Sequence, residues 1–145
     1  LHDCAKCLDN DKKIQICKKH NIEISEAEHR NPFLLHAKAG GFLARTKYKV
    51  EDEEIIDAIL YHTTGRPGMS LLEKIVYIAD YIEPERKFPG VDKLRTITYQ
   101  DWNLGVLAGL NHTLTYLLQK AAFIHPYSLM ARNRMLEEIG IKDCN

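Results

Sequence analysis

The chain predicts an all-α, single-domain helical bundle, and three features carry that expectation. Apolar residues recur at helical spacing from end to end, and no stretch alternates with a period of two for long. The breaker-rich stretches 63–68 and 83–91 fall between periodic segments. At 145 residues the chain has the length of one domain with a proper core.

Ile14, Ile16, Cys17 and Ile22 predict a short first helix, followed by a polar loop over residues 21–31. Pro32 suits a first helical turn, and Phe33, Leu34, His36, Ala37 and Gly40 continue that helix through Leu43 and Ala44. The Gly40-Gly41 pair costs helix propensity, so a neighbour is expected to pack closely there. Residues 51–61 form an amphipathic helix with Ile55, Ile56, Ala58, Ile59 and Leu60 on the buried side, broken by the segment from Thr63 to Gly68. Ser70-Leu71-Leu72-Glu73 is a capping box opening the next helix, through Asp80 to about Ile82. Pro84, Pro89 and Gly90 make residues 83–91 a loop, a long helix spans about Tyr99 to Lys120, and another follows His125-Pro126 to about Ile139.

The hydrophobic fraction of 45% and charged fraction of 28% are those of a globular protein. Twenty basic and twenty acidic residues cancel, which argues against a nucleic-acid polymer or a membrane surface as partner. No apolar run approaches the ~20 residues of a membrane span. Because the chain opens at Leu1 rather than methionine, an N-terminal helix is expected to be missing from it. Cys4, Cys7, Cys17 and Cys144 are too few for a disulfide scaffold. Cys4-x-x-Cys7 has no second pair to complete a zinc site, so reduced thiols on a helix, in the cytoplasm, are the expectation.

Chemistry concentrates in a few positions. His2 and Asp3 are adjacent; His36, His62 and Asp80 follow, each at a helix end or on a largely apolar helix. Imidazoles with carboxylates suit iron, manganese or zinc, and such ions lower the pKa of bound water. Asp80, after Ile75-Val76-Tyr77-Ile78-Ala79, is costly to bury without a metal or a basic partner, with a helix C-terminal residue hydrogen-bonded locally as the alternative. Lys6, three residues past Asp3, would offset substrate charge from nearly the same helical face, with a plain surface lysine as the alternative. His20, His29 and His112 read as packed or surface residues.

Three segments, His2-Asp3-Cys4-Ala5-Lys6, Tyr61-His62-Thr63-Thr64-Gly65-Arg66-Pro67-Gly68-Met69 and Ile78-Ala79-Asp80-Tyr81-Ile82-Glu83-Pro84, resemble the HD-domain phosphohydrolase superfamily. More closely they resemble its YqeK-type members, the symmetrical bis(5′-nucleosyl)-tetraphosphatases; Leu34-Leu35-His36, Phe88-Pro89-Gly90-Val91 and Ala131-Arg132-Asn133 extend the resemblance over nearly the whole chain. It implies an HD-domain helical bundle and an iron-dependent enzyme, with manganese or another divalent metal as alternatives, that cuts diadenosine tetraphosphate into two ADP. By the same resemblance His2, Asp3 and Asp80 match the iron ligands, and His36 and His62 match positions that contact phosphate or a second metal. The superfamily's first ligand histidine lies on a helix ahead of the HD pair, and this chain has no histidine before His2.

Asp3 and Lys6 are the expected catalytic pair, Asp3 sharing a proton with water as well as binding metal. Thr63, Thr64 and Arg66 offer hydroxyls and a guanidinium to phosphate, with a plain turn as the alternative. Arg86 is expected on a loop, either closing over substrate or solvated. Phe123, His125 and Tyr127 lie in a segment that resembles the family's nucleotide-holding stretch; a proline-started helix with Phe123 and Tyr127 in the core is the alternative. The expected partner is a dinucleoside polyphosphate or an ADP- or GDP-like nucleotide, with a homodimer possible through the long helix. Another HD-domain nucleotide phosphohydrolase, or a non-catalytic nucleotide-binding sensor, are the competing functions.

Overall fold

The structure, a computed structural model, describes residues 1–140; Cys144 lies outside them. Among the described residues all regular structure is helical, as the apolar spacing predicts. The chain divides into two compact units, Leu1–Thr63 and a second beginning at Thr64.

The first unit opens with tight turns over residues 2–7 rather than the helix expected around Cys4 and Lys6. Their backbone bonds run three residues back: Cys4 N–H to Leu1 O, Lys6 N–H to Asp3 O, Leu8 N–H to Ala5 O. Asp9 then caps α1 (Asn10–Lys19) by accepting from the Lys12 amide at 2.7 Å. The stretch 21–31, expected as loop, contains α2 (Glu26–Arg30), started by a Ser25/Glu28 capping box of the same pattern as Ser70/Glu73. A 3-10 turn at Pro32–Leu34 leads into α3 (Leu35–Thr46), and α4 (Glu53–Tyr61) follows, capped by Asp52.

Helices α1 and α4 both pack on α3. The glycine pair explains how. A Cβ on Gly41 would sit 2.7 Å from Leu60 Cδ2 of α4, and one on Gly40 would sit 3.2 Å from the His2 carbonyl oxygen. The bare α3 backbone therefore takes α4 on one side and the His2-Asp3 turn on another. Ala44, Ile56 and Ile59 form a core with Val50 and Leu60 against it. Ile55, expected on the buried side, is 40% exposed, because Ile55 and Ile56 are adjacent and point about 100° apart on a helix.

In the second unit Ser70 and Glu73 open α5 (Leu71–Ile82) as predicted. α6 (Val91–Gln100) was not legible, and the single helix expected from Tyr99 is two. Asp101, extended at φ −152° and ψ 117°, ends α6 and caps α7 (Trp102–Gln119) through the Asn103 and Leu104 amides, so Tyr99 belongs to α6. At Gly105 α7 lies against α6: a Cβ there would come within 2.8 Å of Thr98 Cα. α8 (Pro126–Glu138) closes the unit. Tyr77, Ile78, Leu94, Val106, Leu110 and Met135 make its core.

Candidate metal and phosphate site

Four residues of the first unit bring their polar atoms to one point. Asp3 comes from the opening turns, His36 from the first turn of α3, His62 from the C-cap of α4, and Thr63 follows it. His36 Nε2 lies 3.1 Å from His62 Nε2; Asp3 Oδ1 lies 3.4 Å from the first and 3.5 Å from the second. The His2 ring packs edge-on to His62, with centroids 5.0 Å apart, and His2 Nε2 is 3.6 Å from Asp3 Oδ2. Lys6 donates to that same Asp3 oxygen at 2.7 Å, from a turn rather than from the helix expected.

The tautomers follow from elementary hydrogen bonding. His36 Nδ1 is 2.6 Å from the Phe33 carbonyl oxygen and His62 Nδ1 is 2.7 Å from that of Ile59. A carbonyl only accepts, so both Nδ1 atoms carry the proton. Burial holds both imidazoles below the ordinary histidine pKa, despite these bonds, and so keeps them neutral. Each Nε2 is then a lone pair. Asp3 Oδ1 is a third acceptor, buried and accepting no hydrogen bond. Burial works to raise the Asp3 carboxyl, but the Lys6 hydrogen bond and charge outweigh it, so the group stays ionised.

Three acceptors thus face one another within 3.5 Å. Thr63 Oγ1, 3.2 Å from His62 Nε2 and 3.5 Å from His36 Nε2, brings a single proton among them. Lone pairs at this spacing repel, and a cation in their midst removes the repulsion. Imidazoles that donate their second nitrogen to backbone carbonyls are in the arrangement metal-ligating histidines take. The donor set, Asp3, His36 and His62, fits a divalent metal.

The second unit holds its predicted site residues differently. Asp80, near the end of α5, is paired with Arg86: Nη2 to Oδ1 at 3.0 Å, and Nε to the Asp80 carbonyl at 3.2 Å. Arg86 is therefore held by Asp80. Arg66 is forked onto the buried Glu73 at 2.7 and 3.1 Å, and Thr64 Oγ1 donates to the Gly65 carbonyl. Gly65 sits at φ +66° with Ala131 where a Cβ would point, so the loop is tightly seated. His125 caps α8 through the Tyr127 amide and packs edge-on against its ring. Phe123 and Tyr127 are exposed, 49% and 40%, which removes the alternative that they fill the core. His20 stacks on Phe42, His29 is exposed on α2, and His112 bonds the Tyr81 hydroxyl at 2.7 Å, all as expected for residues outside the site.

Sequence reasoning missed the pairing of Arg66 with Glu73 and the burial of Lys13, which is 2% exposed. The second had a signal: Lys13 is four residues before Cys17, on the same helical face.

Residues 1–85 match the HD domain family. The chain belongs to this family. It is similar to the symmetrical bis(5′-nucleosyl)-tetraphosphatase of Bacillus subtilis (strain 168), 41% identical over 133 residues, 92% of this chain and 71% of that protein. The enzyme of the same name from Halalkalibacterium halodurans is 42% identical over 138 residues, 95% of this chain and 73% of the relative. Among solved structures, a predicted HD superfamily hydrolase involved in NAD metabolism from Clostridium acetobutylicum matches with a TM-score of 0.90 and 45% identity, covering 94% of this chain and 72% of that one. Within the HD-domain family, the chain is thus a member of the symmetrical bis(5′-nucleosyl)-tetraphosphatase family. None of its described helices is long and apolar enough to cross a membrane.

Proposed function

We propose that this HD-domain protein is a metal-dependent phosphoanhydride hydrolase that cuts diadenosine tetraphosphate symmetrically into two ADP. The observation that carries the proposal is the proton-poor cluster of Asp3 Oδ1, His36 Nε2 and His62 Nε2, a cation site by its own chemistry, in a chain 41% identical to a symmetrical tetraphosphatase.

Asp3, His36 and His62 would hold one divalent ion. His2, Asp3 and Asp80 are the ligand set the family resemblance assigns, with iron as the proposed metal and manganese as an alternative. When bound, such an ion lowers the pKa of water toward neutrality and draws charge from phosphoryl oxygens. The chain's own groups do the rest. The carbonyls of Phe33 and Ile59 fix both ring tautomers and orientations. Lys6 keeps Asp3 ionised and brings a positive charge to the polyphosphate. Asp3 is the group to share a proton with the attacking water. Thr63, Thr64 and Arg66, and beyond them Arg86, are proposed phosphate contacts, and Phe123, His125 and Tyr127 proposed contacts to the nucleoside.

Symmetrical cleavage fixes the bond broken. Water oxygen bonds to an inner phosphorus, the central bridging P–O bond breaks, and ADP leaves, so both products are ADP. A cytoplasmic enzyme is part of the same reading. So is a homodimer, with the exposed Tyr116 and Leu118 of α7 as apolar residues it would cover.

The test is product analysis of protein purified without chelator and given diadenosine tetraphosphate. ADP as sole product, lost with chelator and restored by iron or manganese, supports the proposal. AMP with ATP would mean attack at another phosphate. Tight nucleotide binding without turnover would make the protein a sensor.

A further inference from the structure

Lys13 is a buried lysine with no carboxylate paired to it among the described residues. It projects from α1 beside Cys17 and is 2% exposed. An ammonium has three N–H donors. Here one of them makes a long bond, 3.4 Å, to Asn10 Oδ1, and the nitrogen lies 5.4 Å from the centre of the Phe33 ring. Among the described residues no carboxylate is paired with it.

The other buried charges are treated otherwise. Glu28 is held by Lys38 and Ser25, and Glu73 by Arg66 and the Ser70 amide. Ammonium groups are rarely buried unless paired, because the water they lose must be replaced. One long bond to an amide and the face of one ring replace little of it.

The surroundings indicate what would complete the shell. Phe33, which covers Lys13, is 45% exposed, and its ring lies 4.8 Å from that of His36. Lys13 and His36 therefore flank the same Phe33 ring, and it is that ring, not Lys13, that meets solvent. Symmetrical cleavage leaves two phosphates on each side of the broken bond. A divalent ion held by the cluster would offset only part of the polyphosphate charge, and Lys6 would share its charge with Asp3, to which it donates at 2.7 Å, so a further cation is called for.

We propose that Lys13 is a substrate contact, its ammonium taking an outer phosphate of the dinucleoside tetraphosphate beside the Phe33 ring. This rests on the hydrolase function proposed above, but the phosphate site can be probed without turnover. Lys13→Met keeps the length and the burial, Lys13→Gln keeps polarity, and Lys13→Arg keeps the charge. Each is compared with wild type for calorimetric binding of inorganic tripolyphosphate, for KM and kcat on diadenosine tetraphosphate, for metal content and for melting temperature.

Loss of one charge-assisted bond weakens tripolyphosphate binding and raises KM by about tenfold in the Met and Gln variants. kcat and metal content stay near wild type, the Met variant melts no lower, and Arg restores most of the affinity. Binding also becomes less sensitive to salt, because one phosphate contact is gone. Unchanged tripolyphosphate affinity and KM in the Met and Gln variants would overturn the proposal. So would a fall in melting temperature and metal content that Arg does not repair, which marks a packing residue. A wild type that binds tripolyphosphate through Lys13 yet leaves diadenosine tetraphosphate intact would support the phosphate site and count against the hydrolase.

Discussion

The buried and site residues of the two units are satisfied in different ways, although the first unit has ion pairs of its own, such as Glu28 with Lys38. In the second, charges find each other: Asp80 with Arg86, Glu73 with Arg66, Lys74 with Glu138. In the first, Asp3, His36 and His62 turn acceptors toward one another with one hydroxyl proton among them, and Lys13 is buried with no carboxylate paired to it among the described residues. Paired charges are already offset within the chain. Facing acceptors call for a cation and an unpaired ammonium for an anion, so the imbalance in the first unit is itself a statement about ligands.

The largest effect expected is at the cluster. His62→Ala removes one of its three acceptors and should lower metal affinity by more than about 100-fold, beyond what loss of an outer-sphere bond costs. Turnover should fall with it, measured by metal analysis and ADP release. Metal content and rate equal to wild type would mean that the cluster is only a packed histidine pair.

Asp80→Ala asks whether the paired unit also supplies a ligand. Activity and metal binding should be lost, with helical circular dichroism retained. Retained turnover would leave Asp80 as the partner of Arg86 and nothing more.

Two predictions concern stability rather than chemistry. Gly105→Ala drives a methyl into the Thr98 backbone and should cost about 1–3 kcal/mol in urea denaturation, as overpacking does. A neutral result would mean that α6 and α7 can move apart freely. Glu28 is a smaller matter of pH. Burial raises its pKa, but the hydrogen bonds from Lys38 and Ser25 outweigh burial and hold it below the ordinary value of 4.5. A lowered folded pKa gives stability that is fully present above the unfolded value and lost as pH falls through the folded one. Glu28→Gln should therefore cost about 1–3 kcal/mol at neutral pH, the worth of hydrogen bonds to a charged group. The gap to wild type should close progressively below about pH 4.5. A gap that does not change with pH would show that the carboxylate's charge contributes nothing.

The sequence carried the helical class, the cap of α5, the role of the glycine pair and the positions of His36 and His62, because each rests on local spacing or on a motif. α2 escaped although Ser25-Glu26-Ala27-Glu28 is a capping box, since the helix it opens is five residues long and makes no periodic pattern. α6 escaped because Asp101 breaks an otherwise continuous helical pattern with a single extended residue. The proton count at the site could not be read at all: it depends on the carbonyls of Phe33 and Ile59, and backbone acceptors have no sequence signature. Arg66 and Arg86 looked available for substrate, and the pairing of each with an acid six or seven residues away emerges only in the folded chain.

The most direct test of the cluster is metal titration of the metal-stripped protein, wild type against Asp3→Asn, followed by calorimetry with manganese or with iron under anaerobic conditions. The substitution keeps the shape of Asp3 and removes the charge that faces the two imidazoles. Wild type should bind divalent metal tightly, and Asp3→Asn should lose most of that affinity while melting at a similar temperature. Equal affinity in the two proteins, or none in wild type, would contradict the assignment of this cluster as a metal site.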